Sequence, residues 1–174
     1  MEYRQRSNGA HACGWIRGIT DTTFAPNREL TRAQLVTILY RMAGEPEATA
    51  ASPFTDVAAS AWYGDAVTRA AENGIAEGMS ATAFAPNQTA TREQMVTFLA
   101  RFAEFSGVDT TATGDLGDFT DASKVSAYAE DAMTWAVHTG IIHGMGNGKL
   151  DPKGTATRAQ FATTALRLYD LLQA

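Results

Sequence analysis

Three arginines in one recurring local setting are the side chains best placed to do chemistry. Arg32, Arg92 and Arg158 each follow a threonine and stand two residues before a glutamine, in the pairs Thr31/Gln34, Thr91/Gln94 and Thr157/Gln160. Thr-x-x-Gln is a capping box: the threonine hydroxyl accepts from the backbone N–H three residues on, and the glutamine side chain reaches back to the cap N–H. Each arginine is therefore expected at the first position of a helix, where the helix dipole makes a cation mildly unfavourable. Something must compensate, and two readings are open. In one, the guanidinium fork and the helix N-terminal amides face a single anion together. In the other, each arginine pairs with a loop carboxylate such as Asp56 or Asp121.

Other reactive side chains form weaker patterns. Asp56 and Asp121 each follow Phe-Thr and read as caps or turn formers, with contacts to ligand hydroxyls as the alternative. Gly18, Gly78 and Gly144 recur in register and read first as tight turns or points of close backbone approach, with Gly78 and Gly144 kept as candidate ligand-binding positions. His138 and His143 flank a turn, and His11 and Cys13 stand near the start, with no third ligand spaced to complete a zinc site. No Asp-x-Asp-x-Asp-Gly calcium loop occurs. No Ser-His-Asp or Cys-His set recurs either, so the expectation is a non-enzyme without metal or cofactor.

The elements that would position these residues are repeats. Residues 18–43 align without a gap to 78–103 at an offset of 60, and a third copy follows at 144–169, a further 66 along. Phe24, Phe84 and Leu150 recur, each followed two residues later by Pro26, Pro86 or Pro152, and then by Thr-Arg-x-Gln. Front halves stand at 54–75 and 119–141. In the second copy, Ser60 can cap a helix placing Trp62, Ala66, Val67 and Ala70 on one face, with Gly74 ending it and Gly140 repeating that ending. The first copy breaks the pattern: at an offset of 60, Trp62 falls on Glu2 and Val67 on Ser7. Residues 1–44 thus read as an incomplete first repeat with an anomalous leader, 54–107 as the second and 119–172 as the third. The stretches 45–53 and 104–118 read as surface linkers.

The second helices carry apolar residues at helical spacing, among them Leu35, Val36, Leu39; Met95, Val96, Leu99; and Phe161, Ala162, Ala165. Three equivalent stripes can bury one another about a shared axis. The expected fold is all-α: a pseudo-threefold, central three-helix core with three radiating helix-loop lobes in one structural domain.

Composition sets outer limits. The 174 residues are 45% hydrophobic, enough for one real core. Fourteen basic against nineteen acidic residues give a net charge of −5 with no basic run, which argues against nucleic acid. No apolar stretch approaches the roughly 18 residues needed to span a bilayer, and the first residues lack the apolar core of a secretion signal. Together with the broken first repeat, these features suggest a chain that begins inside a larger product or follows a start-site or frameshift change, with one incomplete lobe and residues 1–13 the least ordered part.

Phe-Thr-Asp, an aromatic at the Trp-Tyr position, Ala-x-Glu-Asn-Gly-Ile, Phe-x-Pro-Asn and Thr-Arg-x-Gln, recurring at about 60 residues, together resemble the S-layer homology domain over residues 14–172. The resemblance implies a non-catalytic module of a secreted bacterial surface protein, alone or fused to an effector domain. It implies anchoring to the cell wall through a pyruvylated secondary cell-wall polysaccharide held in grooves between lobes, without membrane insertion. It implies that Arg32, Arg92 and Arg158 contact the ligand, because the arginine of the family's Thr-Arg-Ala-Glu motif does so; here glutamine replaces that glutamate. It implies that Trp62, and Tyr128 in the third repeat, stack on a sugar face, against the reading of Trp62 as a core residue. The rivals are a protein-binding scaffold built on the same lobes and, further off, a hydrolase.

Overall fold

The computed structural model describes residues 14–20, 22–111 and 114–173. The expectations placed on residues 1–13, including His11 and Cys13, lie outside them. Among the described residues there are five α-helices: α1 (Arg32–Met42), α2 (Gly64–Glu72), α3 (Arg92–Phe105), α4 (Glu130–His138) and α5 (Arg158–Leu172), with single 3-10 turns at Ala122–Lys124 and Ala127–Ala129. No strand forms among the described residues; isolated bridges join Glu29 to Thr157, Thr31 to Thr89 and Thr91 to Thr155. No helix among them is long and apolar enough to cross a membrane.

The helices α1, α3 and α5 begin where the capping boxes place them. In each, the threonine accepts from the glutamine N–H and the glutamine side chain accepts from the threonine N–H, the six distances running from 3.0 to 3.3 Å. Their apolar stripes are buried, with Leu35, Val36, Met95, Val96, Leu99, Phe161, Ala162 and Ala165 at 0% exposure. Helix α3 packs against both α1 and α5, while α2 docks on α1 and α4 on α3. Helices α1 and α3 are thus each covered by the first helix of the following repeat.

The front halves depart from the sequence expectation in one respect. Ser60 does not cap α2; the helix starts at Gly64 behind Tyr63, which makes no side-chain cap bond. Consecutive tight turns, Ala61 N–H to the Ala58 carbonyl and Gly64 N–H to the Ala61 carbonyl, occupy the segment instead. A β-carbon on Gly64 would lie 2.8 Å from the Ala58 and Ala59 carbonyl oxygens, so this turn requires glycine. Ala66, Val67 and Ala70 do face the core, but Trp62 precedes the helix and is 63% exposed. The core reading of Trp62 is therefore corrected.

The three repeats close on themselves through a ring of backbone hydrogen bonds. Leu30 N–H donates to the Ala156 carbonyl, Ala156 to Ala90, and Ala90 back to Leu30, at 2.9–3.0 Å, with all three residues fully buried.

Candidate functional site

The helix N-termini were the expected seat of an anion, and the structure fills them otherwise. The Arg32 and Ala33 N–H groups donate to the Gln88 and Pro86 carbonyls, those of Arg92 and Glu93 to Gly154 and Pro152, and those of Arg158 and Ala159 to Arg28 and Pro26, at 2.8–3.0 Å. The threonine cap takes the third amide. With the amides satisfied by the neighbouring repeat's loop, the helix ends offer no donors to a ligand, and the reading in which amides and guanidinium share one anion is corrected on its amide half.

The guanidinium groups brace the same loops. Arg32 Nε donates to the Phe84 carbonyl at 2.9 Å and an Nη to the Glu77 carbonyl at 2.6 Å. The guanidinium lies over the Phe84 and Phe98 rings at 4.6 and 5.2 Å. Arg158 repeats this on repeat 1, with its Nε on the Phe24 carbonyl at 2.8 Å and an Nη on the Arg17 carbonyl at 2.6 Å. Arg92 Nε donates to the Leu150 carbonyl at 2.8 Å. Carbonyl oxygens thus supply much of the compensation that the dipole argument demanded. Burial pushes the Arg32 guanidinium down from its ordinary pKa, opposed by Tyr128 and Asp56.

Asp56 and Asp121 act as loop staples. Asp56 accepts from the Phe84 and Ala85 N–H groups at 2.8 Å, and Asp121 from Leu150 and Asp151 at 2.8 and 2.9 Å. Those bonds place both carboxylates under the loops, as turn formers, and both oxygens of each are engaged. The recurring glycines are also local necessities. A β-carbon on Gly78 would lie 2.4 Å from the Ser80 carbonyl oxygen and 2.6 Å from the Phe54 ring, and one on Gly144 would meet the Lys149 carbonyl and the Phe119 ring at 2.7 Å.

These braced loops and the second helices enclose three pseudo-equivalent grooves. The Gly18 groove has Arg158 at its base, Gln34, Thr37 and Arg41 of α1 as its wall, and Ile19 and Trp62 at its rim. The Gly78 groove repeats this with Arg32, then Gln94, Thr97 and Arg101 of α3, then Met79 and Tyr128. The Gly144 groove has Gln160, Thr163 and Arg167 of α5 opposite His143 and Met145. The structure therefore brings Arg32 and Arg158 together with Tyr128 and Trp62, and Gly78 and Gly144 into groove walls.

Sequence reasoning missed the wall arginines Arg41, Arg101 and Arg167, although they recur at the same offsets of 60 and 66. It also missed Glu93, the one acidic residue within the three Thr-Arg-x-Gln motifs. Glu93 is 3% exposed and accepts from the Ser126 N–H and hydroxyl and the Tyr128 hydroxyl at 3.0 Å and from Lys153 Nζ at 2.7 Å, with Lys153 also against the Ser126 hydroxyl. This hub fixes the hydroxyl of the Gly78-groove aromatic. Burial and the Glu93 carboxylate push the Tyr128 phenol up to about 12. Trp62 has a looser setting, edge-on to Tyr63 at 5.1 Å.

Acid should loosen this scaffold. Burial alone would raise the carboxyl pKa of Glu93, Asp56 and Asp121, but hydrogen bonds from Lys153, Ser126 and the loop amides outweigh it and hold all three below their ordinary values. A folded-state pKa below the unfolded one contributes stability that is present above the ordinary values of 4.5 and 3.8 and is lost as pH falls through the folded values. The melting temperature is expected to drop below about pH 4.5, and Asp121→Asn should flatten that slope while lowering stability at neutral pH. A variant with the parent's pH slope would show that Asp121 contributes nothing.

A pseudo-threefold repeat module, with its grooves between lobes and its carboxylates committed to loop amides and a buried hub, has the architecture of a binding domain. The family model for the S-layer homology domain matches residues 14–36, 53–96 and 118–162. The chain belongs to that family, whose members are non-catalytic cell-wall anchoring modules. It is 40% identical over 92% of its length to the "Surface-layer 125 kDa protein" of Lysinibacillus sphaericus, and 32% identical over 91% to an "Amylopullulanase" of Thermoanaerobacterium thermosulfurigenes. It is 27% identical over 87% to "Cell surface glycoprotein 1" of Acetivibrio thermocellus. The chain spans only 13%, 8% and 7% of those relatives.

Proposed function

We propose that the chain anchors a bacterial surface protein to the cell wall by binding an anionic, pyruvylated secondary cell-wall polysaccharide in the grooves between repeats. The observation that carries this reading is the repeated pairing of a wall arginine with an exposed rim aromatic: Arg41 with Trp62 and Arg101 with Tyr128. An aromatic face stacks on the C–H face of a sugar ring while a guanidinium takes its acidic substituent. Arg32, Arg92 and Arg158 remain assigned to ligand recognition in a reduced form. Their Nε atoms hold the loops, and Arg32 and Arg158 line the Gly78 and Gly18 grooves, where the ligand would meet the groove-facing edge of the guanidinium, whereas Arg92 would act through the loop it holds. Gly78 and Gly144 contribute backbone close to the bound sugar, and Asp56 and Asp121 act by shaping the loops. The parent protein is placed at the cell surface, alone or fused to an effector such as a glycoside hydrolase.

Pulldown on purified wall polysaccharide, before and after removal of its acidic substituents, tests the reading. Trp62→Ala is expected to weaken binding about 5- to 10-fold, the usual scale for a lost stacking contact, with the circular dichroism spectrum unchanged because Trp62 is exposed. Equal retention on native and stripped polymer would remove the anionic component of the proposal. Ile19, Met79 and Met145, exposed at the same rim position in the three grooves, favour a second reading as a protein-docking scaffold. Retention of a wall protein on the module with no retention of polymer would decide for that reading.

A further inference from the structure

The three grooves share a plan but not a charge. Among the described residues, the Gly18 groove is lined by Arg17, Arg28, Arg41 and Arg158 and by no carboxylate. The side chains of Arg17 and Arg28 are exposed. In the Gly78 groove, Arg17 is replaced in register by Glu77, which pairs with Arg101 at 3.1 Å and neutralises the wall arginine. Arg41 also has an acidic neighbour, Glu45, but at 3.6 Å and on the next turn of chain beyond the groove lining.

Resting on the anchoring reading above, we propose that the Gly18 groove is selective for a sugar unit that brings two negative charges, whereas the Gly78 groove takes a singly charged or neutral one. Four guanidinium groups in one open groove, with no lining carboxylate among the described residues, leave cationic charge that a single carboxylate does not balance. Their mutual pressure supports this: after burial, Arg17 is the next influence lowering Arg41, and Arg28 the next lowering Arg158. An entering dianion relieves repulsion that already exists in the empty groove, while in the Gly78 groove it would meet Glu77. The aromatic rims add stacking to both grooves and so do not discriminate by charge.

Two-dimensional NMR titration of the intact chain tests the assignment, reading the Trp62 indole N–H for the Gly18 groove and the Tyr128 ring for the Gly78 groove. The probes are glucose 6-phosphate as a dianion, glucuronate as a monoanion, and digalacturonate as two single charges on adjacent rings. Glucose 6-phosphate is expected to move the Trp62 signal at about 10-fold lower concentration than glucuronate at moderate salt, with no such preference at Tyr128. Digalacturonate, with one charge per ring, is expected to act at Trp62 at concentrations like those of glucuronate; action like that of glucose 6-phosphate would overturn selection for a doubly charged single unit. The double substitution Arg17→Ala/Arg28→Ala, at exposed positions, should erase the preference at Trp62, and Glu77→Gln should create one at Tyr128. Equal responses to the two single-sugar probes at Trp62, or no response there at all, would overturn the proposal. The pulldown fails or succeeds separately: charge selection at Trp62 with no polymer retention would sink the anchoring reading and leave the groove assignment standing.

Discussion

Replacing Arg32 with alanine is expected to lower the unfolding free energy by roughly 3 to 5 kcal/mol, because a buried guanidinium is removed while the groups built around it stay. Arg32 is 2% exposed, donates to the Phe84 and Glu77 carbonyls and lies over two aromatic rings. The variant would leave the fully buried Phe84 with a carbonyl short of its donor and open a gap between α1 and the loop of the next repeat. Arg32→Lys keeps the charge but not the fork, so it should recover only part of the loss. Urea denaturation followed by circular dichroism provides the measurement; an unchanged midpoint for Arg32→Ala would refute the bracing role. The same reasoning extends to Arg92→Ala, even though the family resemblance assigns Arg92 to the ligand. Arg92 is 4% exposed with its Nε on the Leu150 carbonyl, so its removal costs stability before it reports on a ligand.

Leu99→Ala should cost roughly 2 to 5 kcal/mol by the lost transfer energy and the cavity left behind. Leu99 is fully buried on α3, the helix that touches both of its central neighbours, so no single element can collapse into the void. Leu99→Met, which conserves volume, should cost less than about 1.5 kcal/mol. The register explains why the position is tight. Leu39 and Leu99 align with Ala165, while Leu35 and Met95 align with Phe161, so the third helix exchanges a large residue at one level for a small one at another. Equal denaturation midpoints for the parent and Leu99→Ala would contradict this packing.

The central helices were legible in the sequence because their signals are local. A threonine and a glutamine three residues apart are enough to start a helix, and apolar residues at helical spacing are enough to aim it inward. The start of α2 was not legible: Ser60 is a good cap by type, but the turns from Ala58 to Gly64 use the backbone first and leave Trp62 outside. The role of the motif arginines was half legible. Their need for compensating partners followed from the helix dipole, yet the carbonyls that meet it stand 45, 52, 134 and 141 residues away along the chain, beyond any local pattern. The wall arginines left a visible trace, since Arg41, Arg101 and Arg167 recur in register, but the capped threonine beside Arg32 made a stronger local signal.

The closed ring of Leu30, Ala90 and Ala156 has a consequence for the order in which the chain can acquire its structure. Each repeat's second helix is completed by a loop of the following repeat, and the last by the first, so the final closure joins segments more than a hundred residues apart. Such contacts carry the largest loop-closure cost and tend to form late. The loop around Gly18 is made well before Arg158, which braces it, and has to wait for it. The three lobes are therefore not three independently acquired units: a chain stopped before α5 would lose the brace of its first groove along with the wall of its third.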